Sequence, residues 1–229
     1  MNHALITGAS GNLGHALVRK FLDEGYRVTG TLVPNDTARM EIVHPAFETR
    51  VADLSDENAA ATLVQSLEQE GKGIDALVCT VGGFAMGSVA ETGTADILKQ
   101  IRLNFETAYN VVRPVFIQMM KKGSGHIFLV GSRPGLSMKN SRGMTAYGLS
   151  KSLVFRLAEL LNEEAKGKQV VTSVIVPSTI DTPQNRRSMP DADFSKWVTP
   201  DDIASAIYFY CTPGASILRE PLIKVYGNS

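Results

Sequence analysis

The chain has 229 residues with 23 basic and 23 acidic side chains, so its formal net charge at pH 7 is zero. This balance, without any cluster of basic residues, gives no support for binding to nucleic acid or to an anionic membrane surface. No apolar run approaches the length that crosses a bilayer, and the length suits one α/β domain over residues 1–229.

The cysteine and histidine content limits the chemistry further. Cys79 and Cys211 lie far apart without a Cys-x-x-Cys spacing, which is typical of reduced thiols in a cytoplasmic protein. The first strand is expected to begin at His3 or Ala4, which leaves no room for a signal peptide. The four histidines form no pair at helical ligand spacing, so no metal site is predicted.

Apolar runs of strand length alternate with helical patterns along the whole chain. In the first half, the predicted elements are a strand over 4–7, a helix over 12–24, a strand over 27–33, a short helix around 37–42, a strand over 49–52, a helix from Ser55 or Asp56 to about Gln69, and a strand over 76–81. In the second half, they are one long helix over 95–120 that is interrupted or bent near Pro114, a strand over 126–130, a helix over 147–165, a strand over 170–176, a helix from Thr199 to about Tyr210, and a strand over 222–226. This alternation predicts a parallel sheet of about seven strands with helices on both faces.

A glycine-rich turn directly follows the first predicted strand and opens the first predicted helix. Glycines in such a turn let the backbone approach a pyrophosphate, and the helix N-terminus offers free N–H groups and a positive dipole. The turn therefore predicts a Rossmann-type fold that binds a dinucleotide. The turn residues expected to contact it are Gly8, Ser10, Gly11, Asn12, Leu13 and Gly14.

The residues after the second strand bear on the choice between NAD and NADP. An acid that binds the adenosine ribose is expected at the end of this strand, but Leu32 and Val33 stand there. Asp36 and Arg39 lie slightly further on. The absence of an acid removes repulsion against a 2′-phosphate, so the sequence leans slightly to NADP(H) and leaves the choice open.

Tyr147 and Lys151 stand four residues apart at the start of a predicted helix, and positions with this spacing share one helix face. A lysine ammonium beside a phenol stabilises the phenolate, so the tyrosine pKa is expected to fall towards neutral pH. The pair therefore predicts a general acid and base at Tyr147.

Together these motifs resemble the short-chain dehydrogenase/reductase family, and the resemblance covers nearly the whole chain. It implies hydride transfer between NAD(P)(H) and a carbonyl or alcohol substrate. It also implies a catalytic set with Tyr147 as proton donor and Lys151 lowering its pKa and binding the nicotinamide ribose. Ser132 would hold the substrate oxygen, and Asn104 would shape the long helix and hold a relay water. The further cofactor contacts implied are Asp53 and Leu54 at the adenine, Thr80 and Gly82 after the fourth strand, and Pro177, Ile180 and Thr182 near the nicotinamide.

The sequence leaves two alternatives open for the catalytic serine and two for the role of Asp53. The spacing from Ser132 to Tyr147 is longer than the family usually has, which indicates an insertion at 137–142 and makes Ser137 the alternative catalytic serine. Asp53 is expected either to face the adenine or to serve as a turn or helix-cap aspartate.

Residues 183–198, here called the lid segment, are expected to form a mobile lid. Residues 181–197 resemble the matching stretch of dihydropteridine reductases, although those enzymes lack the serine and asparagine and carry an acid after the second strand. The expected substrate pocket consists of Phe84, Met144, Met189 and Trp197, with Met86 and Phe194 as further candidates. For the aromatic and methionine side chains of the lid segment, packing against the protein itself is an equal alternative.

The function predicted from the sequence is an NAD(P)-dependent oxidoreductase for a small carbonyl, quinone or pterin-like substrate. A dihydropteridine-reductase-like enzyme is the first alternative, and a non-catalytic NAD(P)-sensing regulator is the second. The family resemblance also implies a homodimer or homotetramer that pairs through the long helix and the Tyr147 helix.

Overall fold

The computed structural model describes residues 1–36, 40–219 and 221–228. Within these residues, seven strands form one sheet in the order β3-β2-β1-β4-β5-β6-β7, and every neighbouring pair is parallel. The predicted α/β fold class is therefore confirmed. The strands are β1 (His3–Thr7), β2 (Arg27–Leu32), β3 (Phe47–Val51), β4 (Ala76–Cys79), β5 (Ser124–Val130), β6 (Gln169–Pro177) and β7 (Leu222–Val225).

Helices connect the strands and cover both faces of the sheet. They are α1 (Asn12–Asp23), α2 (Glu57–Gln69), α3 (Thr94–Ile101), α4 (Thr107–Lys122), α5 (Arg133–Leu136), α6 (Thr145–Glu164), α7 (Pro183–Ser188) and α8 (Pro200–Phe209). Apolar side chains of α2, α4 and α6 form one core cluster with the sheet, and those of α1 and α8 form the second. Because both faces are covered, β1 and β4 are buried along their whole length, and apart from His3 and Thr7 at the ends of β1 their residues are apolar.

The sheet order places the candidate site residues at one edge. β1 lies between β2 and β4, so the chain reverses its winding direction between β1 and β4. In a parallel sheet the carboxyl ends of all strands lie at the same edge, and ligands bind in the crevice outside this switch point. The turns after β1, β4, β5 and β6 therefore meet there.

The long helix predicted over 95–120 is divided in the structure, but not near Pro114. A π-helical segment, Arg102–Glu106, separates α3 from α4, and Pro114 lies inside α4. The predicted interruption near Pro114 was therefore misplaced, because apolar periodicity does not reveal a wider helical turn. The segment contains Asn104, whose buried side chain bonds to neighbouring elements, and π turns are frequent at functional sites.

Other differences are local. The expected short helix at 37–42 falls partly on residues outside the described ranges, and its described part, 40–42, is not helical. There Met40 and Ile42 pack against the core that contains α1. Asp56 rather than Ser55 caps α2, because its carboxylate accepts a hydrogen bond of 2.8 Å from the Asn58 N–H. The short helices α5 and α7 were not predicted.

Candidate active site

The turn after β1 forms a cradle of backbone atoms. Gly8 has φ of +64°, a left-handed conformation that favours glycine. A Cβ on Gly14 would collide with the Gly8 carbonyl oxygen, so only glycine lets α1 begin this close to the turn. Gly11 precedes α1 without any side-chain cap, so the first N–H groups of the helix are not bonded to a capping side chain. This geometry fits a bound pyrophosphate, and the backbone of Asn12 and Leu13 lies on the same first turn.

Ser10 and Asp36 join this turn to the loop after β2. The Ser10 hydroxyl donates a hydrogen bond of 2.5 Å to the Asp36 carboxylate. Leu32 packs partly into the core, so its backbone rather than its side chain lies at the cofactor edge. Arg39, the other candidate for this region, falls outside the described residues. An acid therefore stands next to the cofactor turn after all, although it comes four residues later than the expected position.

Asp53 and Leu54 follow β3. The Asp53 carboxylate accepts hydrogen bonds from the hydroxyl and the N–H of Ser55, at 2.7 and 2.9 Å, and these bonds hold its pKa below the usual range. The turn aspartate suggested by the sequence is thus present, while the helix cap is Asp56. The Leu54 side chain is buried, and its carbonyl accepts a hydrogen bond from Asn110.

The turn after β4 is tied to β1 and to the helices behind it. The Thr80 hydroxyl donates 2.6 Å to the Thr7 carbonyl, which joins the ends of the two strands. A Cβ on Gly82 would lie 2.7 Å from the Asn104 side-chain oxygen and 3.2 Å from the Lys151 ammonium. Glycine at this position therefore lets Asn104 and Lys151 approach the same point of the backbone.

Asn104 is almost fully buried and fixes this turn. Its side-chain oxygen accepts from the Gly83 N–H at 2.9 Å, and its amide nitrogen lies 3.0 Å from the Gly83 carbonyl. The same nitrogen lies 2.9 Å from the Gln100 side-chain oxygen and 3.1 Å from the Ser150 hydroxyl. Asn104 thereby connects the turn after β4 to α3 and to α6.

The predicted catalytic hydroxyl groups meet in the structure. Ser132 follows β5, and its buried hydroxyl lies close enough to the phenol of Tyr147 on α6 to lower the pKa of that phenol. The same oxygen accepts from the Gly135 N–H at 3.1 Å, which caps α5 and fixes the serine side chain. Ser137 is exposed, and its hydroxyl accepts from the Lys139 N–H at 3.3 Å. Ser132, not Ser137, is therefore the serine beside Tyr147.

The electrostatics of the pair differ from the expectation. Burial raises the pKa of Tyr147 above its ordinary value, and the Ser132 hydrogen bond lowers it only in part. Burial also lowers the pKa of Lys151 to about 8, and its ammonium donates 2.7 Å to the Val130 carbonyl. The expected fall of the Tyr147 pKa is thus not seen in the protein alone, because burial outweighs the effect of Ser132 and Lys151 is not among the groups that shift the phenol pKa. Lys151 itself becomes the group that titrates close to neutral pH.

The segment after β6 completes the edge. The Thr182 hydroxyl caps α7 by accepting from the Asn185 N–H at 3.2 Å, and Asn185 also donates 2.8 Å to the Ile180 carbonyl. Pro177 ends β6, and the next residue, Ser178, has a buried hydroxyl with no partner in the part of the chain that the structure describes. A buried hydroxyl without a partner is costly, so this atom fits a site that binds a polar ligand group.

The comparisons with known proteins agree over almost the full length. The family model described as short chain dehydrogenase matches residues 2–193. The 2,3-dihydro-2,3-dihydroxybenzoate dehydrogenase of Escherichia coli is 28% identical over 242 residues, which cover 98% of this chain and 95% of that protein. The acetoacetyl-CoA reductase of an Acinetobacter species is 26% identical over 236 residues, which cover 96% of this chain and 94% of that protein. A short-chain dehydrogenase/reductase structure from Burkholderia thailandensis has a TM-score of 0.85 and 30% identity, covering 99% of this chain and 91% of that one.

The chain belongs to the short-chain dehydrogenase/reductase family. It is an NAD(P)-dependent oxidoreductase that acts on carbonyl or alcohol substrates. Within the described ranges, no helix combines the length and the apolar character needed to cross a membrane. In the same ranges, no group of three His, Cys, Asp or Glu side chains is arranged to hold a metal ion.

The predicted pocket residues of this oxidoreductase fall into two groups. The Phe84 ring lies edge-on to Tyr147 with 4.9 Å between centroids, and Met144 directly precedes α6. In the lid segment, the Trp197 ring lies 4.8 Å from Phe194, and Met189 follows α7. The structure thus brings the Phe84 ring to Tyr147, while the Trp197 side chain packs within the lid segment itself.

Two residues of interest were not singled out from the sequence. Met138 packs on α6 at Gly148, and the longer Ser132–Tyr147 spacing was the signal for the loop that carries it. Ser178 gave no such signal, because its burial becomes visible only when β6 and β7 pair.

Proposed function

We propose that this short-chain dehydrogenase/reductase reduces a carbonyl group with Asn104, Ser132, Tyr147 and Lys151 as its catalytic set. The observation that carries the proposal is the position of the Ser132 hydroxyl beside the Tyr147 phenol at the carboxyl edge of the sheet. Two neighbouring hydroxyls can both reach one substrate oxygen. Lys151 lies one helical turn from Tyr147 on the same helix. Its ammonium approaches the backbone of Gly82, as the Asn104 side chain does.

Each residue then has a distinct task. The nicotinamide, when bound, supplies the hydride. Tyr147 donates its proton to the substrate oxygen, and a raised pKa keeps the phenol protonated for this step. Ser132 donates a hydrogen bond to the same oxygen, where negative charge develops. Lys151, with a pKa of about 8, can return a proton towards Tyr147, and Asn104 holds the Gly82–Gly83 turn in place.

The cofactor is proposed to lie along the carboxyl edge of the sheet. Its pyrophosphate would rest on the glycine cradle at the start of α1, where a helix N-terminus favours negative charge. Thr80 and Gly82 would line its middle part, and the Ser178 hydroxyl together with the backbone at Pro177, Ile180 and Thr182 would bind the nicotinamide end. Asp53 and Leu54 would border the adenine.

For the choice of cofactor, we infer a preference for NAD(H), against the slight lean of the sequence to NADP(H). The Asp36 carboxylate reaches the Ser10 hydroxyl, so a negative charge stands beside the cofactor turn. A 2′-phosphate brought there would be repelled, whereas ribose hydroxyls would find an acceptor. Solved relatives with NADP bound are 20–22% identical and support only the fold.

A pterin reductase is the second candidate, because residues 181–197 resemble the matching stretch of dihydropteridine reductases and include the aromatic pair Phe194 and Trp197. The complete set of Ser132, Tyr147 and Asn104 favours the carbonyl reductase. The same complete set disfavours a regulator that binds cofactor without turnover. A homodimer or homotetramer is also proposed, since α4 and α6 expose apolar side chains at Ile117, Leu149 and Leu160.

The test is oxidation of NADH and of NADPH, measured separately, with ketones, aldehydes, quinones and quinonoid dihydropterin as acceptors. We expect turnover of a ketone or quinone, faster with NADH. Strong turnover of the pterin alone would favour the second candidate. Cofactor binding without oxidation across the whole panel would favour the regulator.

A further inference from the structure

Three exposed apolar side chains surround the backbone segment 143–148, which carries Tyr147. They are Phe84, Met86 and Met138, with 58%, 64% and 49% of their surface exposed, and together they are called the apolar rim. Phe84 contacts the Tyr147 ring, and the Met86 methyl group lies 3.2 Å from where a Cβ of Gly143 would stand. Exposed apolar groups beside a reactive hydroxyl mark a ligand site rather than ordinary surface.

Backbone hydrogen bonds hold one side of the rim in place. The Gly87 N–H donates 2.7 Å to the Gly143 carbonyl, and the Thr145 N–H donates 3.1 Å to the Gly87 carbonyl. The loop that carries Phe84 and Met86 is therefore paired with the segment before α6. The Phe84 and Met86 side chains are therefore exposed because the fold holds their loop in this position.

The other side of the rim depends on close packing of α5 against α6. A Cβ on Gly135 would lie 2.7 Å from the Lys151 Cβ, so glycine lets α5 pack directly on the catalytic helix. A Cβ on Gly148 would lie 2.9 Å from the sulfur and methyl group of Met138. The insertion at 137–142 thus places Met138 on α6 at the residue next to Tyr147.

The segments around the rim differ in charge. Residues 82–90 and 143–150 contain no Asp, Glu, Lys, Arg or His, whereas the insertion at 137–142 carries Lys139 and Arg142 beside Met138. The rim side chains themselves are apolar, so a substrate with a large apolar body would bury more surface against them than a small one. Methionine side chains adapt to irregular apolar shapes and to aromatic rings.

We propose that the apolar rim selects carbonyl substrates with a large apolar or aromatic body, such as polycyclic ketones or alkylated quinones, over small ones. This inference rests on the proposed carbonyl reductase function and names its substrate class. Met138 is the specificity-determining residue that the insertion adds.

The experiment compares three acceptors with the full chain and its preferred reduced cofactor: 2-methyl-1,4-naphthoquinone, hydroxyacetone and acetoacetate. For the quinone we expect the highest kcat/KM of the three. Met138→Ser should raise the KM for the quinone by about tenfold and change kcat by less than about threefold, because it removes apolar contact and leaves the reacting groups in place. Met138→Leu should restore the KM, and Ile217→Ser, at an exposed site before β7, serves as the matched control.

A binding measurement makes the result independent of turnover. Trp197 is the single tryptophan of the chain and lies in the lid segment, so its fluorescence can report ligand binding. A non-reducible naphthalene analogue should bind about tenfold more weakly to Met138→Ser than to the parent protein. If Met138→Ser does not fold, Met86→Ser takes its place with the same expectation.

The outcomes separate the two proposals. If hydroxyacetone or acetoacetate is turned over better than the quinone, and Tyr147→Phe abolishes that turnover, the inference about the rim is overturned and the proposed carbonyl reductase function stands. An unchanged quinone KM and analogue affinity in Met138→Ser would do the same. If Tyr147→Phe still turns over the substrates, or if no carbonyl compound is turned over at all, the proposed function itself is contradicted.

Discussion

The ammonium group of Lys151 donates a hydrogen bond of 2.7 Å to the carbonyl oxygen of Val130, the last residue of β5. The lysine is fully enclosed by protein, and burial lowers its pKa from 10.5 to about 8. Below pH 8 the folded protein therefore holds a buried charge with one backbone partner. This arrangement costs stability in exchange for a proton that can be released near neutral pH.

The pH dependence of stability should reveal this group. Because the folded pKa lies below the unfolded value, the unfolded chain binds more protons between about pH 8 and 10.5, and stability should rise with pH over that window. Relative to Lys151→Met, the free energy of unfolding of the parent should increase by roughly 1–3 kcal/mol from pH 7.5 to pH 10. Urea denaturation of both proteins at several pH values measures the difference. A constant difference would contradict a depressed lysine pKa.

Replacing Tyr147 by phenylalanine should remove the proton donor and leave the ring contact with Phe84. We expect kcat to fall by about two to four orders of magnitude, the range for loss of a general acid. The cofactor dissociation constant should change by less than about threefold, because the phenol oxygen is one contact among many. Steady-state kinetics and cofactor titration test both points, and activity close to that of the parent would refute the assignment.

The Gly14→Ala variant should lose cofactor binding. Its methyl group would collide with the Gly8 carbonyl oxygen, so the start of α1 must move away from the turn. Overpacking of this kind typically costs about 1–3 kcal/mol of stability. Gly73→Ala is the matched control, since nothing lies within 4 Å of its Cβ position. Calorimetric titration with NADH, together with thermal denaturation, distinguishes a displaced turn from a tolerated methyl group.

Removing the Asp36 charge should change the cofactor preference. In Asp36→Asn, the repulsion against a 2′-phosphate disappears while the Ser10 hydroxyl keeps an acceptor. We expect the ratio of the NADPH and NADH dissociation constants to shift by about tenfold towards NADPH, equivalent to about 1.4 kcal/mol. Asp23→Asn, at the far end of α1, should leave the ratio unchanged. A parent protein that already prefers NADPH would contradict the inference.

Much of this molecule could be predicted from residue patterns. The alternation of apolar runs and helical repeats predicted the parallel sheet because both depend on local periodicity. The spacing of Gly8, Gly11 and Gly14 predicted the position of the turn, since the need for glycine there is a backbone property. Tyr147 and Lys151 were found from their helical spacing, whereas Ser132 followed only from the resemblance to the family, and the structure places Ser132 beside Tyr147.

The features that could not be predicted depend on the burial of ionisable groups and on contacts between residues that are distant in sequence. The direction of the Tyr147 pKa follows from burial by several elements, which a spacing of four residues does not encode. The Asp36 carboxylate lies beyond the expected position and becomes relevant only through its contact with Ser10. The π turn at Arg102–Glu106 leaves the apolar pattern of the helix almost unchanged.

The hydrogen bonds of Asn104 separate the part of this protein that positions the reacting groups from the part that contacts the substrate. They fasten the Gly82–Gly83 turn to α6, so the position of the reacting tyrosine relative to the floor of the crevice is set when the chain folds. The Met86 and Met138 side chains are exposed beside this unit, and none of the hydrogen bonds of Asn104 involves them. Substrate preference can therefore change through these two side chains, while the bonds that position the reacting tyrosine stay as they are.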